Sequence, residues 1–154
     1  PFSEWQIRNI HQLILKNIDD DNAGRYRQQN VLISGATSTP PDYTLLNDKM
    51  AQLVDWYSND AHKFHPIERA AKVHADFVGI HPFIDGNGRT SRLLMNLELL
   101  KAGYPPCVIT VENRLAYYEA LDQWMAYGKT EAFIQLVSEA VLEGFKPYQV
   151  VLGI

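Results

Sequence analysis

Pro66-Ile67-Glu68-Arg69-Ala70-Ala71-Lys72-Val73-His74-Ala75-Asp76-Phe77-Val78-Gly79 is the stretch that sets the fold class. Proline suits the first turn of a helix, where its missing N–H is not needed. Behind it Ile67, Ala70, Ala71, His74, Phe77 and Val78 recur at helical spacing. The stretch therefore predicts a helix from Pro66 to about Gly79, apolar on most sides and central to the molecule. A short loop, His81 to Asn87, leads into a second strongly apolar helix, about Gly88 to Lys101. Gly103 ends it, with Pro105 and Pro106 just beyond.

Outward from this pair most of the chain also reads as helix. Ser3 is an N-cap for a first helix carrying Ile7, Ile10, Ile14 and Ile18, which Asp19-Asp20-Asp21-Asn22 ends. Leu46, Met50, Leu53, Val54 and Tyr57 give a second, from Leu45 to Tyr57. Two more are predicted near Val111 to Ala126 and Thr130 to Gly144. Asn30 to Tyr43 differs: Val31-Leu32-Ile33 is β-prone, Ser34-Gly35 signals a turn and Pro40-Pro41 breaks regular structure. This predicts a short irregular hairpin or flap. The expected fold is all-α with one small β excursion, in a single domain spanning 1–154.

Composition narrows the function classes. The 154 residues are 46% hydrophobic and 21% charged, as in soluble globular proteins, and no apolar run approaches the length that spans a bilayer. A net charge of -4 argues against broad electrostatic binding of nucleic acid, which needs many cations facing phosphates. The one cysteine, Cys107, sits in the apolar run Pro106-Cys107-Val108-Ile109 and reads as a small buried hydrophobe in a reducing, cytoplasmic setting. The expectation is a protein with no nucleic-acid or membrane partner, monomeric or homodimeric.

The stretch that carries chemistry is His81-Pro82-Phe83-Ile84-Asp85-Gly86-Asn87-Gly88-Arg89-Thr90-Ser91-Arg92. It is a loop opening a helix. Glycines on either side of Asn87 let the backbone approach a ligand and present several N–H groups in one direction, which suits an anion at a helix N-terminus. Arg89 and Arg92, three apart, reach the same region, and a guanidinium fork suits polyphosphate. Asp85 would repel phosphates unless Mg²⁺ lay between, an ion commonly held by one or two carboxylates plus phosphate oxygens. His81 can accept a proton at neutral pH. A base, a metal ligand, an anion nest and two cationic clamps are the parts of phosphoryl or nucleotidyl transfer.

The same stretch resembles the motif His-x-Phe-x-(Asp/Glu)-Gly-Asn-Gly-Arg-x-x-Arg of the Fic family, matching every specified position. Gly24-Arg25-Tyr26-Arg27 is similar to the segment upstream of the Fic flap. His65-Pro66-Ile67-Glu68 with His74 resembles the helix before the motif, and Gly103-Tyr104-Pro105-Pro106 with Tyr117-Tyr118 resembles segments after it. The likeness runs from about Asn17 to Val137. It implies a Fic fold: a compact helical core with a short β-hairpin flap. It also implies a protein adenylyltransferase, moving AMP from ATP to a Ser, Thr or Tyr hydroxyl of a target protein. By that resemblance His81 deprotonates the hydroxyl and Asp85 holds Mg²⁺. Gly86, Asn87 and Gly88 bind phosphate oxygens, and Arg89 and Arg92 hold the polyphosphate, Arg92 at the γ-phosphate. The Phe83 ring is expected to bury beneath the loop and fix its path.

The resemblance further implies that a target segment lies against the flap, with Val31, Leu32, Ile33, Ser34 and Gly35 within the docking stretch, by β-augmentation. Tyr117 and Tyr118 are candidates for the nucleoside pocket or, equally, for core packing; pointing about 100° apart on a helix, only one of them need face a ligand. Where relatives carry a polar Asn later on that helix, Gln123, Trp124 and Met125 stand here. Many Fic proteins carry an inhibitory Ser/Thr-x-x-x-Glu-Gly/Asn helix whose Glu pairs with the second motif arginine. Ser138 and Glu143-Gly144 come close to that pattern with a spacing one residue too long, and an ordinary amphipathic end helix explains them as well. The expectation is an excised core whose inhibitory element is missing or is supplied by a partner. Three alternatives stay open: removal of AMP, transfer of another phosphate-linked moiety, and a silent Fic-fold binding module. Gly88 disfavours a kinase-like relative, which has Lys there, and the intact His81 and Gly86-Asn87-Gly88 disfavour a silent one.

Overall fold

A computed structural model describes residues 2–154. Six helices follow in order: α1 (Glu4–Leu15), α2 (Leu46–Asn59), α3 (Pro66–Ile80), α4 (Asn87–Lys101), α5 (Arg114–Tyr127) and α6 (Glu131–Leu152). Short 3-10 turns at Tyr43–Leu45 and Ala61–Lys63 precede α2 and follow it.

The central pair is α3 and α4, and two half-cores form on either side of it. Val73 and Phe77, four apart on α3, pack with Ile7 of α1, Met50 and Leu53 of α2, Leu94 of α4 and Phe83 of the connecting loop. Ala71 and Ala75, also four apart, face the other way with Met95 and Leu99 of α4, Tyr117 and Leu121 of α5 and Phe133 and Val137 of α6. A helix that serves two cores is apolar nearly all round, which is why α3 reads so in the sequence. The loop between α3 and α4 enters the first of these cores through Phe83.

Local signals start the helices as expected in two places. Ser3 accepts a hydrogen bond from the Gln6 N–H at 3.2 Å, and His65 caps α3 ahead of Pro66. Four expectations are corrected. The first helix ends at Leu15, and its buried face is Ile7, His11 and Leu15, so Ile18 lies outside it and is exposed. The fifth starts at Arg114, because Val111 to Arg114 close as turns first. The sixth runs through Gly144 to Leu152. At Gly144 the helix passes so close to the Pro105–Pro106 segment that an added Cβ would lie 3.1 Å from Pro105, so this glycine marks a close approach rather than an end.

The fourth correction concerns the hairpin. Among the described residues there is no β-strand, and residues 30–42 form an irregular loop. Its one internal backbone hydrogen bond, Ala36 N–H to the Ile33 carbonyl, is a turn. A strand exists only by virtue of a ladder partner, and the β-prone Val31-Leu32-Ile33 has none here.

Candidate functional site

His81 caps α3 in the left-handed region, at φ 52° and ψ 57°. A helix C-terminus usually puts glycine there, and a histidine held so carries roughly 1 kcal/mol or more of strain. Its Nδ1 lies 3.2 Å from the Val78 carbonyl. A carbonyl only accepts, so Nδ1 carries the proton and Nε2 keeps its lone pair. Burial holds the imidazole below its usual pKa; the Val78 bond opposes this and the nearby Arg27 charge adds to it. His81 is thus a neutral ring with a defined tautomer at neutral pH.

Two side chains outside the motif hold the loop. Arg27 is buried and donates to three carbonyls: His81 at 2.8 Å, Gln29 at 2.9 Å and Pro41 at 2.7 Å. Its own backbone N–H donates to Pro82 at 2.9 Å. His11, fully buried on α1, accepts from the Gly24 N–H at 2.9 Å through Nδ1 and donates to the Asp85 carbonyl at 2.8 Å through Nε2. Its ring stacks on Phe83 at 3.5 Å and 3°. Burial lowers its pKa, so it too is neutral. Phe83 is fully buried, as expected.

At the start of α4 each motif residue has a distinct place. Gly86 has φ 80°, and a Cβ there would meet His11 Nε2 at 3.2 Å and Leu15 Cδ2 at 3.3 Å, so both conformation and space demand glycine. Asn87 is buried, its Oδ1 accepting from the Phe83 N–H at 3.0 Å and its Nδ2 donating to the Phe83 carbonyl at 2.8 Å. Its side chain is therefore committed to the loop, leaving only its backbone N–H for an anion. No side chain caps this helix, and the N–H groups of Asn87, Gly88 and Arg89 have no partner among the described residues. Three unpaired donors at one helix N-terminus form an anion nest.

Asp85 is exposed; one oxygen accepts from the Gly86 N–H at 2.7 Å and the other pairs with Arg89 at 3.0 Å. Among the described residues no carboxylate pairs with Arg92, which lies beside the Tyr117 hydroxyl. Glu143 lies on α6 and pairs with Lys146. Among the described residues no cluster of three acidic, His or Cys side chains makes a metal site from protein alone.

Of the two tyrosines, Tyr117 belongs to the core. It is buried, its hydroxyl 2.8 Å from Nε2 of the buried His74, and burial pushes its pKa up to about 12. Tyr118 is exposed and is the one that can face a ligand. The flap residues Val31 to Gly35 stand at the surface, with Leu32 80% exposed. Arg27 holds both ends of the flap, and Thr37 is tied to Asp122 of α5, its N–H at 2.7 Å and its hydroxyl at 2.6 Å from the carboxylate. Ser38, Thr39 and Pro41 line a cavity of about 590 Å³ together with Trp56, Lys72, Asp76, Trp124 and Met125. Reading the sequence misses His11 as a support of the site. It gives Arg27 only as part of a family-like segment, without its three-carbonyl role.

A model of the Fic/DOC family matches residues 1–99. The protein adenylyltransferase Fic of Nematostella vectensis is 44% identical over 133 residues, covering 86% of this chain and 30% of that protein. The protein adenylyltransferase fic-1 of Caenorhabditis elegans is 40% identical over 116 residues, 75% of this chain and 22% of that protein. The chain thus spans less than a third of the length of these relatives. A solved structure of Fic-1 from C. elegans superposes with a TM-score of 0.87 at 34% identity, covering 99% of this chain and 44% of that one.

Proposed function

Because the chain belongs to the Fic/DOC family, we propose that it transfers AMP from ATP to a hydroxyl side chain of a target protein and releases pyrophosphate. The observation that carries this reading is the pairing of a neutral His81, proton on Nδ1 and lone pair on Nε2, with three unpaired N–H groups at the start of α4.

In this reading the ATP phosphates lie on the N–H groups of Asn87, Gly88 and Arg89, with Arg92 reaching the far end of the polyphosphate. His81 Nε2 takes the proton of the target hydroxyl as its oxygen attacks the α-phosphorus. The bond from that phosphorus to the bridging oxygen breaks, and pyrophosphate leaves. Positioning and fixed donors carry most of the effect, as in phosphoryl transfer generally. Arg27 and His11 serve by holding the loop, and Asn87 by bracing Phe83.

Asp85 fits Mg²⁺, which needs few protein carboxylates when phosphate oxygens complete its shell. Its exposed carboxylate stands beside the nest and is oriented by Gly86 and Arg89. Bound there, the ion would neutralise charge on the phosphates. Tyr118 is the proposed nucleoside contact and Val31 to Gly35 the surface for the target segment. The flap is irregular, so main-chain pairing with a target would be made on binding. An inhibitory carboxylate, from a partner or from another segment, would act at Arg92. A cytoplasmic setting belongs to the same reading. No helix among the described residues is long and apolar enough to cross a membrane.

The test is mass spectrometry of the purified chain incubated with ATP and Mg²⁺, in buffer and in cell lysate, beside His81→Ala. One added AMP on the chain or on a lysate protein, absent with His81→Ala, is the expected result. An adduct from another nucleotide and none from ATP would overturn the choice of AMP, and an adduct that survives His81→Ala would overturn the role of His81.

A further inference from the structure

The flap is held at its two ends and at one point between. At the stem Asn30 closes the loop, donating to Asp42 at 2.8 Å and accepting from the Tyr43 N–H at 2.9 Å, while Arg27 ties Gln29 and Pro41 to His81. Between Val31 and Pro40 the only hydrogen-bond partner from elsewhere among the described residues is Asp122, some 85 residues away in sequence. One carboxylate takes both the backbone N–H and the hydroxyl of Thr37, a two-point grip that fixes orientation as well as distance. These bonds hold the Asp122 carboxyl below its usual range, so the grip is intact at neutral pH.

Asp122 stands four residues after Tyr118 on α5, hence on the same face of that helix. Ser38 and Thr39, next to Thr37, line the same cavity as Trp124 and Met125 of α5. One helix therefore carries the exposed Tyr118, part of the cavity lining and the tether of the neighbouring flap residues.

We infer that Asp122 is a positioning residue that sets where the flap stands relative to α5 and the His81 loop. With the tether in place, Val31 to Gly35 are presented at one height above the site. Without it, the segment pivots on its Arg27-bound stem. The tether rests on its own geometry; only its kinetic consequence rests on the reading of the flap as the target surface.

Asp122→Ala and Thr37→Val test the tether in the full chain. Hydrogen exchange at the bonded flap amides, Ala36 and Thr37, is expected to quicken about tenfold in Asp122→Ala, with α3 and α4 unchanged. Spin labels at Ser34 and Leu93 are expected to show a broadened distance distribution. Asp122→Asn, which keeps an acceptor for the Thr37 N–H, is expected to recover part of both. Against an acceptor found in the transfer assay, Asp122→Ala should raise KM roughly tenfold with kcat little changed. Unchanged exchange and unchanged distances in Asp122→Ala would overturn the tether. A loosened flap with unchanged KM would overturn its positioning role. Absence of transfer by the unaltered chain would count against the proposed activity, and exchange and distances would still decide the tether.

Discussion

The loop from His81 to Gly86 and the flap from Asn30 to Asp42 are both irregular, and both are gripped by Arg27, yet they are built oppositely. In the loop, Phe83 and Gly86 are buried, the His81, Pro82 and Asp85 carbonyls are each bonded to Arg27 or His11, and Asn87 braces Phe83 from both sides. In the flap, the side chains of Leu32 and Ser34 stand in solvent and one turn and one tether do the holding. A rigid loop keeps donors and base where charge must develop, and a loosely held one lets a surface adapt to a protein partner. The contrast separates the part that would do chemistry from the part that would choose its substrate.

The hardest break in the rigid half is at His81. Replacement by Ala should cut transfer by roughly 10²–10⁴-fold, the usual contribution of a general base. Replacement by Gly should be equally inactive but more stable than Ala by about 1 kcal/mol, because only glycine is at ease at φ 52°. Urea unfolding of the two variants measures the gap. If Ala proves the more stable, the left-handed strain assigned to His81 is wrong.

Arg27 joins the two regions, so its loss should injure both. Arg27→Ala leaves the His81, Gln29 and Pro41 carbonyls without their donor and should cost about 2–4 kcal/mol. Arg27→Lys should recover only part, since an ammonium lacks the fork that spans separate carbonyls. Thermal unfolding reads the loss, and exchange at both segments should quicken together. Quickening confined to the flap would mean that His11 and Asn87 hold the loop alone.

How much of this was legible beforehand follows from how local each signal is. The pair α3–α4 was readable because a two-sided apolar helix announces itself within its own fifteen residues. The nest and base were readable because they lie within one dozen. His11 was not, since one histidine on an amphipathic helix says nothing of a carbonyl 74 residues away. Arg27 showed as a family-like segment, but its three carbonyl acceptors are set by tertiary placement. The strand propensity of Val31-Leu32-Ile33 is local and real, whereas a ladder needs a partner that the fold does not supply. The last helix reads as ending near Gly144, yet α6 packs past Pro105 there and continues to Leu152.

A gentler probe of the rigid half is pH. His11, His74 and His81 are all lowered in pKa by burial, His74 to about 3. In the unfolded chain each takes up a proton near pH 6.5, so protonation favours unfolding. Their contribution is complete above about pH 7 and is lost as pH falls through 6.5 toward the lower folded values. Each can remove up to about 1.4 kcal/mol per pH unit in that window. The lowered carboxyls Asp42, Asp60 and Asp122 act only below their unfolded value near 4. The drop between pH 6.5 and 5 therefore belongs to the histidines. Urea midpoints should be level from pH 8 to 7 and fall from 6 to 5, less steeply in His74→Gln. A level midpoint down to pH 5 would refute three neutral buried rings.

The smallest expected change in stability sharpens the contrast from the flap side. Leu32 is 80% exposed and lies in none of the buried clusters. Leu32→Ser removes no core contact, so stability should stay within about 0.5 kcal/mol of the unaltered chain. A large side chain left in solvent on a loosely held segment is nonetheless what a partner surface would cover. The expectation is a raised KM for a protein acceptor, unchanged affinity for ATP and an unchanged urea midpoint. Exchange at residues 81–87 should not move, since no bond of Leu32 reaches that loop. Should Leu32→Ser weaken ATP binding instead, the flap would be part of the nucleotide site, and the division between a rigid half for chemistry and a yielding half for recognition would fail at this residue.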